Sequence, residues 1–267
     1  MMGNDLDGSL SRRPTSEHDS DPSTLLPETY PSSTGEIDLS VVMPIFNEEH
    51  SLASVLEEAV VALSDAPFRY EIVLVDDAST DGSPKILEQW QRRCPEIIRV
   101  LRHESNRGIA AACQTLYDAA QGAHVFLNAS DGQWKTAECL RLMELRDRYD
   151  LIVGIRRQKQ YTLWRTLLSR AFNALSWICF AVHTYDAGSI KLFKAEILRI
   201  PLISRGVFRE AERIIRASRR GYRIGAIPVD HFPRAAGKAT GARLSLVIQA
   251  VMDLARCWWR IVICRDT

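Results

Sequence analysis

The chain has 267 residues, 46% of them hydrophobic and 25% charged, with a formal net charge of +1. That length suits one α/β domain with an extension and buries a sizeable core. The near-neutral balance provides no global field for a polyanion, so no nucleic-acid partner is expected; its 6 cysteines form no C-x-x-C pair and have no neighbouring histidines at zinc spacing.

Residues 1–36 are rich in Ser, Thr, Pro, Asp and Glu and poor in large apolar side chains. Such a stretch buries too little surface to offset its ordering entropy and is expected to be a disordered tail. The N-terminus lacks the apolar region of a secretory signal, and no window holds ~18 uninterrupted apolar residues. A cytoplasmic protein with reduced, buried thiols is expected, peripheral to the membrane if it meets one.

From Leu39 the pattern changes. Leu39-Ser40-Val41-Val42-Met43-Pro44 is a short apolar run, as in a parallel strand covered on both faces. Leu52, Val55, Leu56, Ala59, Val60 and Leu63 then recur at helical spacing. A strand at 71–75, a helix carrying Ile86, Leu87 and Trp90, a strand at 97–101 and an Ala-rich helix from Ile109 follow. A strand at 124–127, a helix near 136–148 and a fifth strand, Leu151-Ile152-Val153-Gly154, complete the series. Alternating units of this length predict a mostly parallel sheet flanked by helices. Beyond residue 160 come a helical stretch over 162–182, the polar turn Asp186-Ala187-Gly188-Ser189, a helix near 208–220 and a basic loop over 231–243. An amphipathic helix over 243–263 closes the chain, with Val247, Val251, Leu254, Trp258 and Ile261 on one stripe and Arg256 and Arg260 on another face.

Ligands of open parallel sheets bind at the carboxyl ends of the strands. Those ends carry Pro44, Asn47, Glu48 and Glu49 after the first strand, and Asp76, Asp77, Ser79, Asp81 and Gly82 after the second. Asn106, Arg107 and Gly108 follow the third, and Ser130, Asp131, Gly132 and Gln133 the fourth. Turn and cap preferences alone account for Ser79, Gly82 and Thr136. They do not account for a rim dominated by acids, without G-x-G-x-x-G or Walker A glycines. A nucleotide held on such a rim needs carboxylate contacts to base and ribose and a metal to offset its diphosphate.

In order and even spacing, these segments resemble family 2 glycosyltransferases. Val42-Met43-Pro44-Ile45-Phe46-Asn47-Glu48 is similar to the opening V-x-P-x-x-N-E, and Asp76-Asp77-Ala78-Ser79-Thr80-Asp81-Gly82-Ser83 to D-D-x-S-x-D-G-T/S. Asn106-Arg107-Gly108, Asp131-Gly132-Gln133 and Gly154-Ile155-Arg156 stand where that family places its N-x-G, metal and G-x-R segments. The resemblance runs over about 39–240 and is strongest to polyprenyl-phosphate (dolichol-phosphate type) mannosyl- and glucosyltransferases. It implies a Rossmann-like GT-A catalytic domain over 37–240, followed by a C-terminal amphipathic helix over 241–267.

The resemblance also implies roles. Pro44, Asn47, Glu48, Asp76, Asp77, Asn106 and Gly108 would surround the nucleotide of a nucleotide-sugar donor. Asp131, assisted by Gln133, would hold Mg²⁺ or Mn²⁺ on the donor diphosphate. The family's first metal-motif Asp is Ala129 here, so a weakened or inactive nucleotide-sugar-binding relative is the alternative. Asp186 would be the base for a hydroxyl acceptor. For a polyprenyl phosphate acceptor no base is needed, and Arg156, Arg170, Ser189, Arg234 and Lys238 would hold the phosphate. The number of cations on that side favours the lipid phosphate. Trp258 and Trp259 beside arginines suit an interfacial helix lying on anionic lipid, with packing against the domain as the alternative.

Overall fold

The computed structural model describes residues 36–157, 163–204, 206, 208–233 and 244–265. The expected tail apart from Glu36, and Arg234 and Lys238 of the basic loop, lie outside the described residues. Among the described residues seven strands form one sheet: β1 (Leu39–Ile45), β2 (Tyr70–Asp76), β3 (Ile98–Arg102), β4 (His124–Leu127), β5 (Leu151–Arg156), β6 (Lys191–Lys194) and β7 (Ile224–Val229). The helices are α1 (Leu52–Leu63), α2 (Ser83–Arg93), α3 (Ile109–Ala119), α4 (Glu138–Met143), α5 (Leu163–Phe180), α6 (Ala195–Leu198), α7 (Arg209–Arg219) and α8 (Leu244–Trp258).

The continuous apolar runs have the expected cause. Along β1 and β2, Val41, Met43, Ile72 and Leu74 pack into one core, while Val42, Val73 and Val75 pack into another on the opposite face. Side chains alternate across a strand, so a sheet covered on both sides needs apolar residues at every position. The first core is closed by α1, α2 and α4, the second by α3, α7 and α8. All six apolar residues of the α1 stripe are buried.

Strand order is β3-β2-β1-β4-β6-β5-β7. The chain winds outward from β1 to β3, then returns to place β4 on the other side of β1. The crevice between the carboxyl ends of β1 and β4 is therefore the topological switch point, where open α/β sheets bind ligands. β6 runs antiparallel to both β4 and β5. Lys191, its first residue, pairs with Leu127 and Val153 near the carboxyl ends of those strands. The reversed strand thus delivers the 182–190 segment to the same rim.

The closing helix differs from its expected form. It is α-helical to Trp258 and finishes as a five-residue π turn, Trp259–Ile263. Its expected single stripe is divided: Ala250, Leu254, Cys257 and Ile261 are buried, whereas Val251 and Trp258 are exposed. The split lies within the regular α-helical part: the buried stripe is Ala250, Leu254, Cys257 and Ile261, so the helix is rotated from the expected one and Val251 and Trp258 fall at its outer edge.

Candidate active site

At the switch point the loops after β1, β2 and β4 are tied together by main-chain contacts. The Ser130 hydroxyl donates to the Pro44 carbonyl at 2.8 Å. Ser51 stands at the N-cap of α1 but makes no capping bond; its hydroxyl donates to the Ser130 carbonyl at 3.0 Å instead. A side chain suited to stabilising its own helix clasps the opposite wall of the crevice. Asn47 accepts the Thr80 N–H at 2.8 Å, and its own N–H donates to Ser79 at 3.0 Å. Asn47 and Ala78 both adopt left-handed backbone, with φ of 56° and 60°. For alanine that conformation is uncommon and concentrates at functional sites.

Asp77 is 3% exposed. One carboxylate oxygen accepts the Arg107 N–H at 2.9 Å, the other the Gly108 N–H at 2.8 Å. His103 adds a third contact, Nδ1 lying 2.6 Å from Asp77 while Nε2 meets the Thr115 hydroxyl at 2.9 Å. Gly108 has φ of 83°, a conformation glycine adopts freely, and this aims its N–H at the carboxylate. The aspartate therefore shapes the loop carrying Asn106, which is exposed at its tip. Asp76 accepts the Ser79 N–H at 2.8 Å and lies 3.3 Å from Arg102. Glu48 is half-buried, and its N–H donates to Ser83 at 2.9 Å. All seven expected donor-side residues thus lie at the carboxyl ends of β1 and β2 or in the loops that follow β1, β2 and β3.

Asp131 is 6% exposed and accepts the Gln133 N–H at 3.1 Å. The Gln133 side chain turns toward the Phe232 carbonyl, 3.5 Å away. Ala129 packs against the apolar core. Among the described residues no three His, Cys, Asp or Glu side chains converge as a metal site. That donor set fits a cation arriving with its ligand: Mg²⁺ is commonly held by one or two carboxylates together with substrate phosphates.

Across the rim, Arg156 at the end of β5 donates to the Gly188 carbonyl at 3.0 Å and lies 3.6 Å from Asp186. Its guanidinium sits 5.2 Å from the ring centre of Trp134, which also meets His231 edge-on at 4.7 Å. Stacking on an aromatic face fixes the guanidinium plane. Arg156, Asp186 and Ser189 are brought together; Arg170 is exposed on α5 and is not a wall of the adjoining cavity. That cavity, about 260 Å³, opens between Pro44, Ala129, Trp134, Ser189, Lys191 and Glu210. Burial pushes the Cys113 thiol on its wall up to about 12, so it stays protonated and unreactive.

Sequence reasoning missed His103 and Trp134. Neither lies in a motif the resemblance covers, although Trp134 directly follows Gln133 and so adjoins one. The resemblance itself is borne out. A family profile for Glycosyl transferase family 2 matches residues 40–201.

The chain belongs to glycosyl transferase family 2.

Among relatives of this family member, a dodecaprenyl-phosphate galacturonate synthase from Rhizobium johnstonii is 30% identical over 227 residues, 82% of this chain and 65% of the relative. An undecaprenyl-phosphate 4-deoxy-4-formamido-L-arabinose transferase from Edwardsiella ictaluri is 31% identical over 222 residues, 82% and 67% of the two chains. The chain thus spans about two thirds of the length of these relatives. Glucosyl-3-phosphoglycerate synthase from Mycobacterium tuberculosis, solved with Mg²⁺ and uridine diphosphate, superposes with a TM-score of 0.67 at 17% identity, covering 84% of this chain and 79% of that one. A mannosyltransferase from Pyrobaculum calidifontis, solved with GDP-mannose and Mn²⁺, gives 0.59 at 20% identity, covering 88% and 70%. At these identities the superpositions establish the shared GT-A fold.

Proposed function

We propose that this family 2 member transfers a sugar from a nucleoside-diphosphate donor to a polyprenyl phosphate, with inversion at the anomeric carbon. The observation that carries the proposal is the switch-point crevice: Ser51 and Ser130 tie the loops after β1 and β4 together, and Trp134, just beyond Asp131, carries the Arg156 guanidinium. The names of the relatives, polyprenyl-phosphate sugar transferases or synthases, agree with it. They lend no support to the inactive alternative raised by Ala129.

In this reading the loops after β1, β2 and β3 hold base and ribose, and Asp131 with Gln133 would hold Mg²⁺ or Mn²⁺. When bound, the cation offsets charge on the departing nucleoside diphosphate. A phosphate oxygen of the lipid bonds to the anomeric carbon as the bond to the donor diphosphate breaks, and the electron pair leaves with the nucleotide. The nucleophile is already anionic, so no proton has to be removed. Arg156, fixed on Trp134 and beside Asp186, is placed to hold the incoming phosphate; Asp186 then positions that guanidinium rather than acting as a base. Arg170, Arg234 and Lys238 are its proposed companions. No described helix is long and apolar enough to cross a membrane. Contact with the lipid falls to exposed apolar side chains, Leu175, Trp177 and Ile178 of α5 and Ile248, Val251, Met252, Trp258 and Trp259 near the C-terminus. Peripheral attachment at the cytoplasmic surface follows from this reading.

The full chain, incubated with radiolabelled nucleotide sugars, Mg²⁺ or Mn²⁺ and a polyprenyl phosphate, is expected to label the lipid. Asp131→Ala should reduce the rate at least ~100-fold without changing the thermal midpoint. Undiminished labelling in Asp131→Ala or in excess chelator would remove the metal from the reaction. Absence of lipid labelling across the sugars would remove the acceptor.

A further inference from the structure

One end of the cavity is formed by charged side chains of β6 and α7 that neither the nucleotide nor the acceptor phosphate uses. Lys191 is 1% exposed; its ammonium donates to the Ser189 carbonyl at 2.8 Å and lies 3.6 Å from Glu210 Oε2. Glu210 Oε1 accepts from the Tyr117 hydroxyl at 3.3 Å and faces Arg213 Nε at 3.7 Å. Arg213 is fully buried, its guanidinium 4.8 Å from the Tyr117 ring centre. Burial lowers the Lys191 pKa, opposed by the Glu210 charge.

Such a network is a poor stability device, because buried ion pairs are often matched or bettered by apolar packing. It is also incomplete. Ser189 Oγ is buried without a hydrogen-bond partner among the described residues, Glu210 Oε2 has only the 3.6 Å ion pair with Lys191, and both residues line the cavity. An unpaired buried polar atom costs free energy and calls for an explanation. A carboxylate oxygen that accepts, a hydroxyl that does either and an ammonium that donates form a complementary set for adjacent hydroxyl groups. A phosphate would meet the Glu210 carboxylate and be repelled. The volume, about 260 Å³, lies below the ~300–1,000 Å³ of drug-sized sites and suits one small polar ring.

Resting on the glycosyl-transfer reading, we infer that Glu210 and Ser189, with Lys191 beside them, read the hydroxyl groups of the transferred sugar and set which sugar the donor site accepts. Pro44 and Ala129 wall the same cavity, so the pocket opens directly from the nucleotide crevice. The small side chain at 129 leaves that passage clear.

The test is calorimetric titration of the full chain with UDP and GDP, and then with UDP-glucose, UDP-galacturonate, UDP-N-acetylglucosamine and GDP-mannose, all in Mg²⁺. The preferred nucleotide sugar should bind about tenfold more tightly than its nucleoside diphosphate, the effect of one or two hydrogen bonds to charged groups. Glu210→Gln and Ser189→Ala should each remove most of that advantage while leaving the nucleoside diphosphate Kd unchanged. Ser189→Ala should also keep the urea midpoint, since its hydroxyl has no partner to lose, and it carries the test if Glu210→Gln folds poorly. A sugar advantage retained in Ser189→Ala, no advantage in the wild type, or equal weakening of both ligand classes would overturn the inference. Failure of either nucleoside diphosphate to bind would instead overturn the donor-site reading beneath it.

Discussion

The two sides of the rim are held by different forces. On the β1–β4 side, carboxylates and hydroxyls grip main-chain groups: Asp77 on Arg107 and Gly108, Asp76 on Ser79, Ser130 on Pro44. On the β5–β7 side, charge meets charge: Arg156 with Asp186, and Lys191 and Arg213 with Glu210. A loop pinned through its own backbone is preorganised before any ligand arrives, which suits an unvarying nucleotide. The Arg156–Asp186 pair can be exchanged for a pair with a ligand, which suits the incoming phosphate of the proposed reaction, whereas the carboxylate between Lys191 and Arg213 suits hydroxyl groups.

The sharpest way to break this contrast is Asp77→Ala. It strands two backbone N–H groups and His103, so a loss of about 3 kcal/mol in urea unfolding is expected, with donor affinity falling in parallel. A loss below ~1 kcal/mol would mean the loop after β3 holds its shape without the carboxylate.

A smaller effect is expected on the opposite side. Replacing Trp258 and Trp259 by serine should weaken partition onto anionic vesicles by roughly tenfold and leave the urea midpoint nearly unchanged. Trp258 and Trp259 are 36% and 57% exposed, whereas Cys257 and Ile261 carry the packing inward. Unchanged partition would detach these side chains from the membrane.

The smallest effect lies at the far end of β5 and β7 and separates a structural pair from the functional ones. Hydrogen bonds from Arg223 hold the Asp150 carboxyl at about 2, below the usual carboxylate range. A group depressed by folding stabilises the fold above its unfolded pKa, and that contribution disappears as pH falls toward the folded value. Asp150→Asn should therefore be less stable than the wild type above about pH 4, the two converging near pH 2, with transfer rates at neutral pH unaffected. A constant stability difference across that range would show the pair to be indifferent to ionisation.

Local physics made the donor side legible. The apolar stripe of α1, the two-sided runs of β1 and β2 and the acidic strand ends are contiguous segments, and their partners are main-chain atoms of neighbouring loops. The resemblance supplied the roles proposed for Asp77 and Asp131; the spacing alone supplied a rim. His103 and Trp134 were not legible, because their partners Asp77 and Arg156 stand more than twenty positions away; Lys191 and Glu210 stand in segments the resemblance covers, but their meeting across the cavity was not legible.

By itself, then, the sequence determined the alternating β and α units, the order of the polar loops and membership of a family that places a nucleotide there. Hydrophobic period and loop chemistry are written residue by residue. Tertiary structure alone decided that β6 runs backwards between β4 and β5, bringing Asp186, Ser189 and Lys191 to the rim. It also decided that the last helix turns Ala250, Leu254 and Cys257 inward while exposing Val251, Trp258 and Trp259. Strand direction and helix rotation are set by which surfaces find one another when the core closes, and no local pattern encodes that choice.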